Sequence, residues 1–225
     1  MKTDDELRND VIEEIRWDPL LGKEASKIGV TAHEGVVTLS GQVDTYSMKV
    51  AAERAAQRVI GVKVVAVDLE VKLLKGKIRS DTDIAEAVRN ALKWHSLVNE
   101  EQIKIKVENG WVTIEGTAEW DYQKKAAQVA VQDLIGVRGV TNSIVVKSKT
   151  TDVKDIKRKI AAAFHRHATF DSGNINVEIT GTKASLTGKV RSWAEKRDAE
   201  EVVWAAPGIL SVDNKIEIDT ELILT

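Results

Sequence analysis

Residues 35–41 read GVVTLSG, residues 110–116 read GWVTIEG and residues 182–188 read TKASLTG. The glycines that close them, Gly41, Gly116 and Gly188, stand 75 and 72 residues apart, and a second glycine follows each after 20 residues: Gly61, Gly136 and Gly208. Two markers that keep one spacing in three places define an internal repeat. Beyond each second glycine the chain alternates, through Val65, Val67, Leu69 and Val71, then Val140, Asn142, Ile144 and Val146, then Val212, Asn214, Ile216 and Ile218. A period of two is the mark of a half-buried strand.

Upstream of each quoted stretch lies another strand: Ile28, Val30 and Ala32; Ile103, Ile105 and Val107; Ile175, Val177 and Ile179. Turns at Glu34-Gly35, Asn109-Gly110 and Gly181-Thr182 join the two, Asn-Gly being the strongest hairpin signal. Val37 and Leu39, Val112 and Ile114, and Ala184 and Leu186 then share one side of the hairpin. Each unit opens on an amphipathic helix, carried by Leu7, Val11, Ile12 and Ile15, by Ile84, Val88, Ala91 and Leu92, and by Ile156, Ile160, Ala163 and Phe164. Thr3 with Glu6 and Ser80 with Asp83 resemble capping boxes, and Asp152 with Asp155 places negative charge at the third start. An alanine-rich second helix, with Ala51, Ala52, Ala55 and Val59 in the first copy and Ala126, Ala127, Ala130 and Leu134 in the second, ends where Gly61, Gly136 and Gly208 suit a left-handed C′ residue.

The expected fold class is α+β: three tandem α-β-β-α-β units, each a three-stranded mixed sheet with two helices on one face. The helical crossover makes the second and third strands parallel. Boundaries are expected at 1–74, 75–149 and 150–225. Units of about 70 residues can each fill a small core, but they leave no large core in which to hide a deep active site.

The chain has 225 residues, 43% of them hydrophobic, with 33 basic against 35 acidic side chains and no cysteine. A net charge of −2 gives no overall attraction to nucleic acid, and the lack of cysteine excludes a disulfide scaffold, thiolate metal sites, iron–sulfur clusters and a cysteine nucleophile. Cut at 74 and 149, the charge divides into −3, +2 and −1. The first helices differ more: residues 4–16 carry six acidic and two basic groups, whereas residues 152–167 carry Lys154, Lys157, Arg158, Lys159 and Arg166 against two acids. The latter reads as a basic amphipathic helix, with Lys72, Lys75, Lys77 and Arg79 adding charge in the first linker. It suits an anionic membrane surface, or the acidic helix 4–16 of another unit as an oligomer contact, against the plainer reading of a solvated face over an ordinary core.

Other constellations carry less. His165 and His167 flank Arg166 at a helix end, with no cysteine and no repeated histidine to complete a metal site. No nucleophile, histidine and carboxylate recur together, so neither catalytic residues nor a cofactor is assigned and an enzyme is the least supported class. Gly136 to Gly139 spell GxxG, but the aligned segments GVKVV and GILSV lack the second glycine, so an RNA clamp is not expected. Trp111 belongs to the polar set of its strand and is expected to cover the open sheet face or meet a neighbouring unit, with an anionic-lipid contact as the alternative. Tyr46, Trp120 and Trp193 stand at second-helix entrances, as staples, and Trp17 and Trp94 end the first helices, as core-edge positions. No secretory leader or apolar run of about 20 residues is present, so the chain as written reads as soluble and cytoplasmic, or periplasmic had an export signal been removed.

The unit resembles the BON domain, a bacterial module named for OsmY and nodulation proteins. The resemblance rests on Gly35 to Gly41 with Gly61 and Val62, on Gly110 to Gly116 with Gly136, Val137, Val140 and Asn142, and on Gly188 with Gly208, Ile209, Val212 and Asn214. The third copy departs at its hairpin, where Gly181 comes one position early and Lys183 replaces an apolar residue. The resemblance implies a small non-catalytic module associated with phospholipid binding, envelope maintenance and osmotic stress. A protein–protein scaffold or chaperone-like adaptor, or binding of a small cation such as potassium, are the alternative expectations.

Overall fold

In the computed structural model the three copies fold to one plan. The structure describes residues 2–73, 76, 78–147, 153–166 and 174–219, and within 153–166 it describes the side chains at 156, 158–160, 162, 163 and 166. The first copy comprises α1 (Asp4–Trp17), β1 (Ile28–His33), β2 (Val36–Val43), α2 (Tyr46–Arg58) and β3 (Val64–Val71). The second comprises α3 (Asp81–Trp94), β4 (Ile103–Glu108), β5 (Trp111–Ala118), α4 (Asp121–Gln132) and β6 (Gly139–Val146). In the third, α5 (Val153–Arg166), β7 (Ile175–Thr180), β8 (Lys183–Val190) and α6 (Trp193–Trp204) precede a last strand split into β9 (Ser211–Asn214) and β10 (Glu217–Ile218). Short 3₁₀ turns at Ala25–Lys27 and Glu100–Gln102 lead into β1 and β4.

Each copy has its own sheet, ordered β1-β2-β3, β4-β5-β6, and β7-β8 with β9 and β10 on the far side of β8. In the second copy Glu108 faces Trp111 across the Asn109-Gly110 turn, both turn residues having positive φ of 52° and 79°. That is the two-residue turn whose twist matches a hairpin. β6 runs parallel to β5 with Val112 opposite Val140 and Ile114 opposite Asn142. The third copy repeats this, β7 antiparallel and β9 parallel to β8.

Both helices of a copy cover one sheet face. In the second, Ile84, Val88 and Leu92 of α3 and Ala127 and Val131 of α4 close over Val112, Ile114, Val140 and Ile144. In the third, Ile156 and Ile160 of α5 and Ala199, Val202 and Val203 of α6 close over Ile175, Ala184, Leu186 and Ile216. The first copy buries the same pattern: Leu7, Val11, Ile15, Ala52, Ala55, Ala56, Val37 and Leu39. Alanine is needed on the second helix because a larger side chain would hold that helix off the sheet.

The capping boxes are present in full, Thr3 with Glu6 and Ser80 with Asp83; Asp152 and the Asp155 side chain lie outside the described residues. Gly116 shows why the first marker is glycine. Its φ is 145°, and a Cβ there would stand 1.9 Å from the carbonyl oxygen of Gln102. Gly188 meets Asn174 in the same way, at 2.0 Å.

Backbone contacts group the chain into two units that do not follow the repeat: Met1–Ser40, Ala52–Asp68 and Ser148–Thr225 form one, Gly41–Ala51 and Leu69–Lys147 the other. The first copy therefore contributes to both. Among the described residues no helix is long and apolar enough to cross a membrane.

Candidate functional site

The most exposed large apolar side chains sit at equivalent places in the first two copies. α1 and α3 each end on a tryptophan, Trp17 at 85% and Trp94 at 84% exposure, followed three residues later by Leu20 at 48% and Leu97 at 47%. The core-edge reading of these tryptophans is thus corrected. A residue at the last turn of a helix packs inward only if its angular position matches the stripe set by Leu7, Val11 and Ile15, or by Ile84, Val88 and Leu92, and position 17 or 94 lies two residues past that stripe.

Local sequence holds each turn open. Pro19 keeps Asp18 extended and ends α1. The Asp18 carboxylate accepts the N–H of Leu20 (3.0 Å), and its carbonyl accepts those of Leu21 and Gly22. In the second copy His95 donates its N–H to the Leu92 carbonyl (3.2 Å), and Val98 donates to that of His95 (3.0 Å). Leu21 is fully buried and Val98 packs on the core, so each turn is pinned by the residue after the exposed leucine. Both turns present a Trp-x-x-Leu pair outward.

Their electrical surroundings differ. Around Trp17 stand Glu13, Glu14, Arg16 and Asp18; around Trp94 the matching positions are Asn90, Ala91, Lys93 and His95, with Arg89 a turn below. Arg89, Asn90 and Lys93 line a groove of about 550 Å³ together with Glu100, Glu101, Leu92, Ile103 and Ile105. The second turn thus sets two exposed apolar groups next to Lys93 and His95, while the groove along α3 carries two cations and two acids.

The acidity of α1 is also answered within the chain. Arg58 pairs with Glu14 at 2.6 Å and Asp18 at 3.3 Å, Lys2 bridges to Asp10, and Arg16 bridges to Glu13. Opposing pulls set the Arg58 guanidinium: burial lowers its pKa, while hydrogen bonds and charge from Glu14 and Asp18 outweigh this and raise it. The −4 of residues 4–16 is therefore not a bare acidic face.

The basic helix is placed plainly. Ile156 and Ile160 are core residues of the third copy, so the apolar stripe of α5 is used internally, while Arg158, Lys159 and Arg166 are exposed. The side chains of Lys154 and Lys157, and Lys75 and Lys77 of the first linker, lie outside the described residues, as do His167 and the side chain of His165. Arg79 turns back on its own linker, donating to the carbonyls of Gly76 (2.8 Å) and Ile78 (3.0 Å).

Trp111 lies on the open sheet face, as its strand position implies. Its Nε1–H donates to Thr141 Oγ1 at 2.8 Å, and its ring covers Gly139, where a Cβ would stand 2.4 Å from two ring atoms. Gly139 is unrepeated because Trp111 is unrepeated: the tryptophan needs a strand partner without a side chain, and the two face each other in register.

Two groups of structural residues were not legible as such. Asp81 accepts the backbone N–H of Asn109 and Gly110, both at 2.8 Å, and Asp4 accepts that of Glu34 at 2.8 Å, so the first residue of α3 or α1 clamps its hairpin turn. Asn142 donates to the Lys124 carbonyl (2.8 Å) and accepts from Ile144 N (3.2 Å), and Asn214 does the same with Lys196 and Ile216. An asparagine at an inward position of two of three strands was the available signal. Among the described residues no three His, Asp or Glu side chains gather closely enough to hold a metal ion.

Comparison with known proteins agrees with this repeat. The BON domain model matches three times, over residues 3–72, 80–148 and 152–220. Osmotically-inducible protein Y of Escherichia coli K12 is 26% identical over 153 residues, covering 63% of this chain and 74% of the relative. A 21 kDa hemolysin of Actinobacillus pleuropneumoniae is 32% identical over 126 residues, covering 55% of this chain and 63% of that protein, less than two thirds of its length. Among solved structures, CdsD, a structural protein of the type III secretion system of Chlamydia trachomatis, aligns over 94% of this chain and 91% of its own at 16% identity and a TM-score of 0.26. With three α-β-β-α-β copies, each on the marker glycines and each matched by one family model, the chain belongs to the BON domain family.

Proposed function

We propose that this chain is a non-enzymatic binding protein that docks peripherally on anionic phospholipid in an osmotic or general stress response. The observation that carries the reading is the second turn: Trp94 and Leu97 exposed next to Lys93, at the end of a helix that also carries Arg89. An indole and a leucine gain by leaving water at the headgroup boundary, and cations beside them are drawn to the anionic surface, each worth about 1 kcal/mol at most. The exposed Arg158, Lys159 and Arg166 of α5 add charge without apolar insertion. The stress role is supported by similarity to an osmotically inducible protein.

Co-sedimentation with phosphatidylglycerol vesicles at low salt tests this. Trp94→Ala with Leu97→Ala is expected to weaken binding roughly tenfold, from the apolar area no longer buried. Wild-type protein that leaves the vesicles in the supernatant at low salt would sink the reading. Recovery of a stoichiometric protein partner, with vesicles ignored, would favour the scaffold alternative.

A further inference from the structure

Two hydrogen bonds join copies that the sequence presents as separate modules. Ser47, the second residue of α2, donates its hydroxyl to the Asp133 carboxylate at 2.7 Å and lies 3.3 Å from the Gln132 carbonyl, at the carboxyl end of α4. Tyr46 beside it packs on the core of the second copy, and Gln132 is buried there. Trp193, the first residue of α6, donates its Nε1–H to the Lys63 carbonyl at 3.0 Å, in the turn after α2. In the first place the amino end of one second helix meets the carboxyl end of another, positive dipole end to negative. In the second the amino end of α6 meets the turn between α2 and β3.

We propose that the entrance of the second helix is a docking element between copies, and that Tyr46 and Ser47 on Gln132 and Asp133 latch the start of α2 to the second copy. Trp193 on Lys63 plays the same part for the third copy on the first. These contacts are heterologous: the two surfaces that meet are different parts of the repeated unit. Asp133 explains the choice of partner. A carboxylate at the carboxyl end of its own helix is unfavourably placed, and a donated hydroxyl from the amino end of α2 offsets that. Arg58, the matching residue of the first copy, is already held by Glu14 and Asp18, so the two seats are not interchangeable.

The test uses the full chain with Tyr46→Ala, Ser47→Ala and Asp133→Ala, singly and combined, and Trp193→Phe. Two quantities are read: the rate of tryptic cleavage within 72–80 and the rotational correlation times of the first and second copies from amide ¹⁵N relaxation. Asp133→Ala or Tyr46→Ala is expected to raise cleavage about tenfold and to give the two copies separate correlation times. Ser47→Ala added to Asp133→Ala is expected to add little, since only the longer contact of the hydroxyl to the Gln132 carbonyl is then left to lose. Trp193→Phe should release the third copy and leave cleavage within 72–80 unchanged. Amide resonances of residues 81–131 that stay in place show that the second copy remains folded; their general collapse in Asp133→Ala would count against a latch. The triple variant cleaved at the wild-type rate with one common correlation time would overturn the proposal, as would a wild-type correlation time that rises with concentration, which places the contact between copies of the chain.

Discussion

The turns that end α1 and α3 are built alike and charged differently. Each exposes a tryptophan and a leucine three residues on, and each is pinned just after the leucine, by the buried Leu21 or the partly buried Val98. Around the first, Glu13, Glu14 and Asp18 outnumber Arg16; the helix end before the second carries Arg89 and Lys93 and no acid, Glu100 and Glu101 lining the groove from beyond the turn. The difference teaches that duplication kept the apolar tip while the surrounding charge diverged. Apolar area sets how strongly a tip leaves water, and charge sets which surface it leaves water for. On that reading the second tip suits an anionic bilayer, and the first is discouraged from one.

The largest effect that could break this comparison comes from a marker glycine. Gly116→Val puts a Cβ against the Gln102 carbonyl at a φ of 145° and should cost on the order of 4 kcal/mol. Two-dimensional NMR is expected to show loss of the second copy's dispersed resonances while those of the third remain, and binding to anionic vesicles should fall with them. If vesicle binding survives, the second tip is not the one that binds.

A smaller effect sharpens it. Arg89→Glu with Lys93→Glu is expected to weaken vesicle binding by one to two orders of magnitude, at about 1 kcal/mol per charge removed and again per charge reversed in part. Glu14→Ala with Asp18→Ala, which also releases Arg58, should strengthen it. Equal and negligible changes in both variants, measured by vesicle titration at low and high salt, would show that charge does not separate the tips.

The smallest effect concerns the helices that carry them. Hydrogen bonds from the Thr3 backbone and hydroxyl hold the Glu6 carboxyl below its ordinary value of 4.5, and the Ser80 hydroxyl and backbone hold that of Asp83 below 3.8. A lowered folded value means that the cap's contribution is complete above the ordinary value and is lost as pH falls through the folded one. Between neutrality and pH 4.5 neither helix start should change. As the pH falls further and each carboxyl takes up its proton, amide exchange at both helix starts should quicken. Protection that persists unchanged into strong acid would contradict the stated cause.

Much of the fold was readable because the repeat printed its register three times. The spacing of Gly41 to Gly61 and the alternation after Gly136 constrain a strand, a helix and a second strand whatever the surroundings, since both depend on local φ and on side-chain period. The exposure of Trp17 and Trp94 was half readable: their angular position, two residues past the apolar stripe, was there to be read, whereas the absence of any neighbouring element over them was not. The Trp111 and Gly139 pair was half visible, as an aromatic on a polar face and as a glycine without a counterpart. Their meeting needed the strand register.

By itself the sequence determined the three copies, their elements, their caps and their family, because each of these follows from periodicity and from residues with special backbone freedom. Tertiary structure alone decided which apolar groups remain in water, how the acids of α1 are answered by Arg58 and Lys2, and where Ser47 and Trp193 find acceptors in other copies. Those are matters of distance between residues far apart along the chain, and no local pattern encodes a distance of that kind.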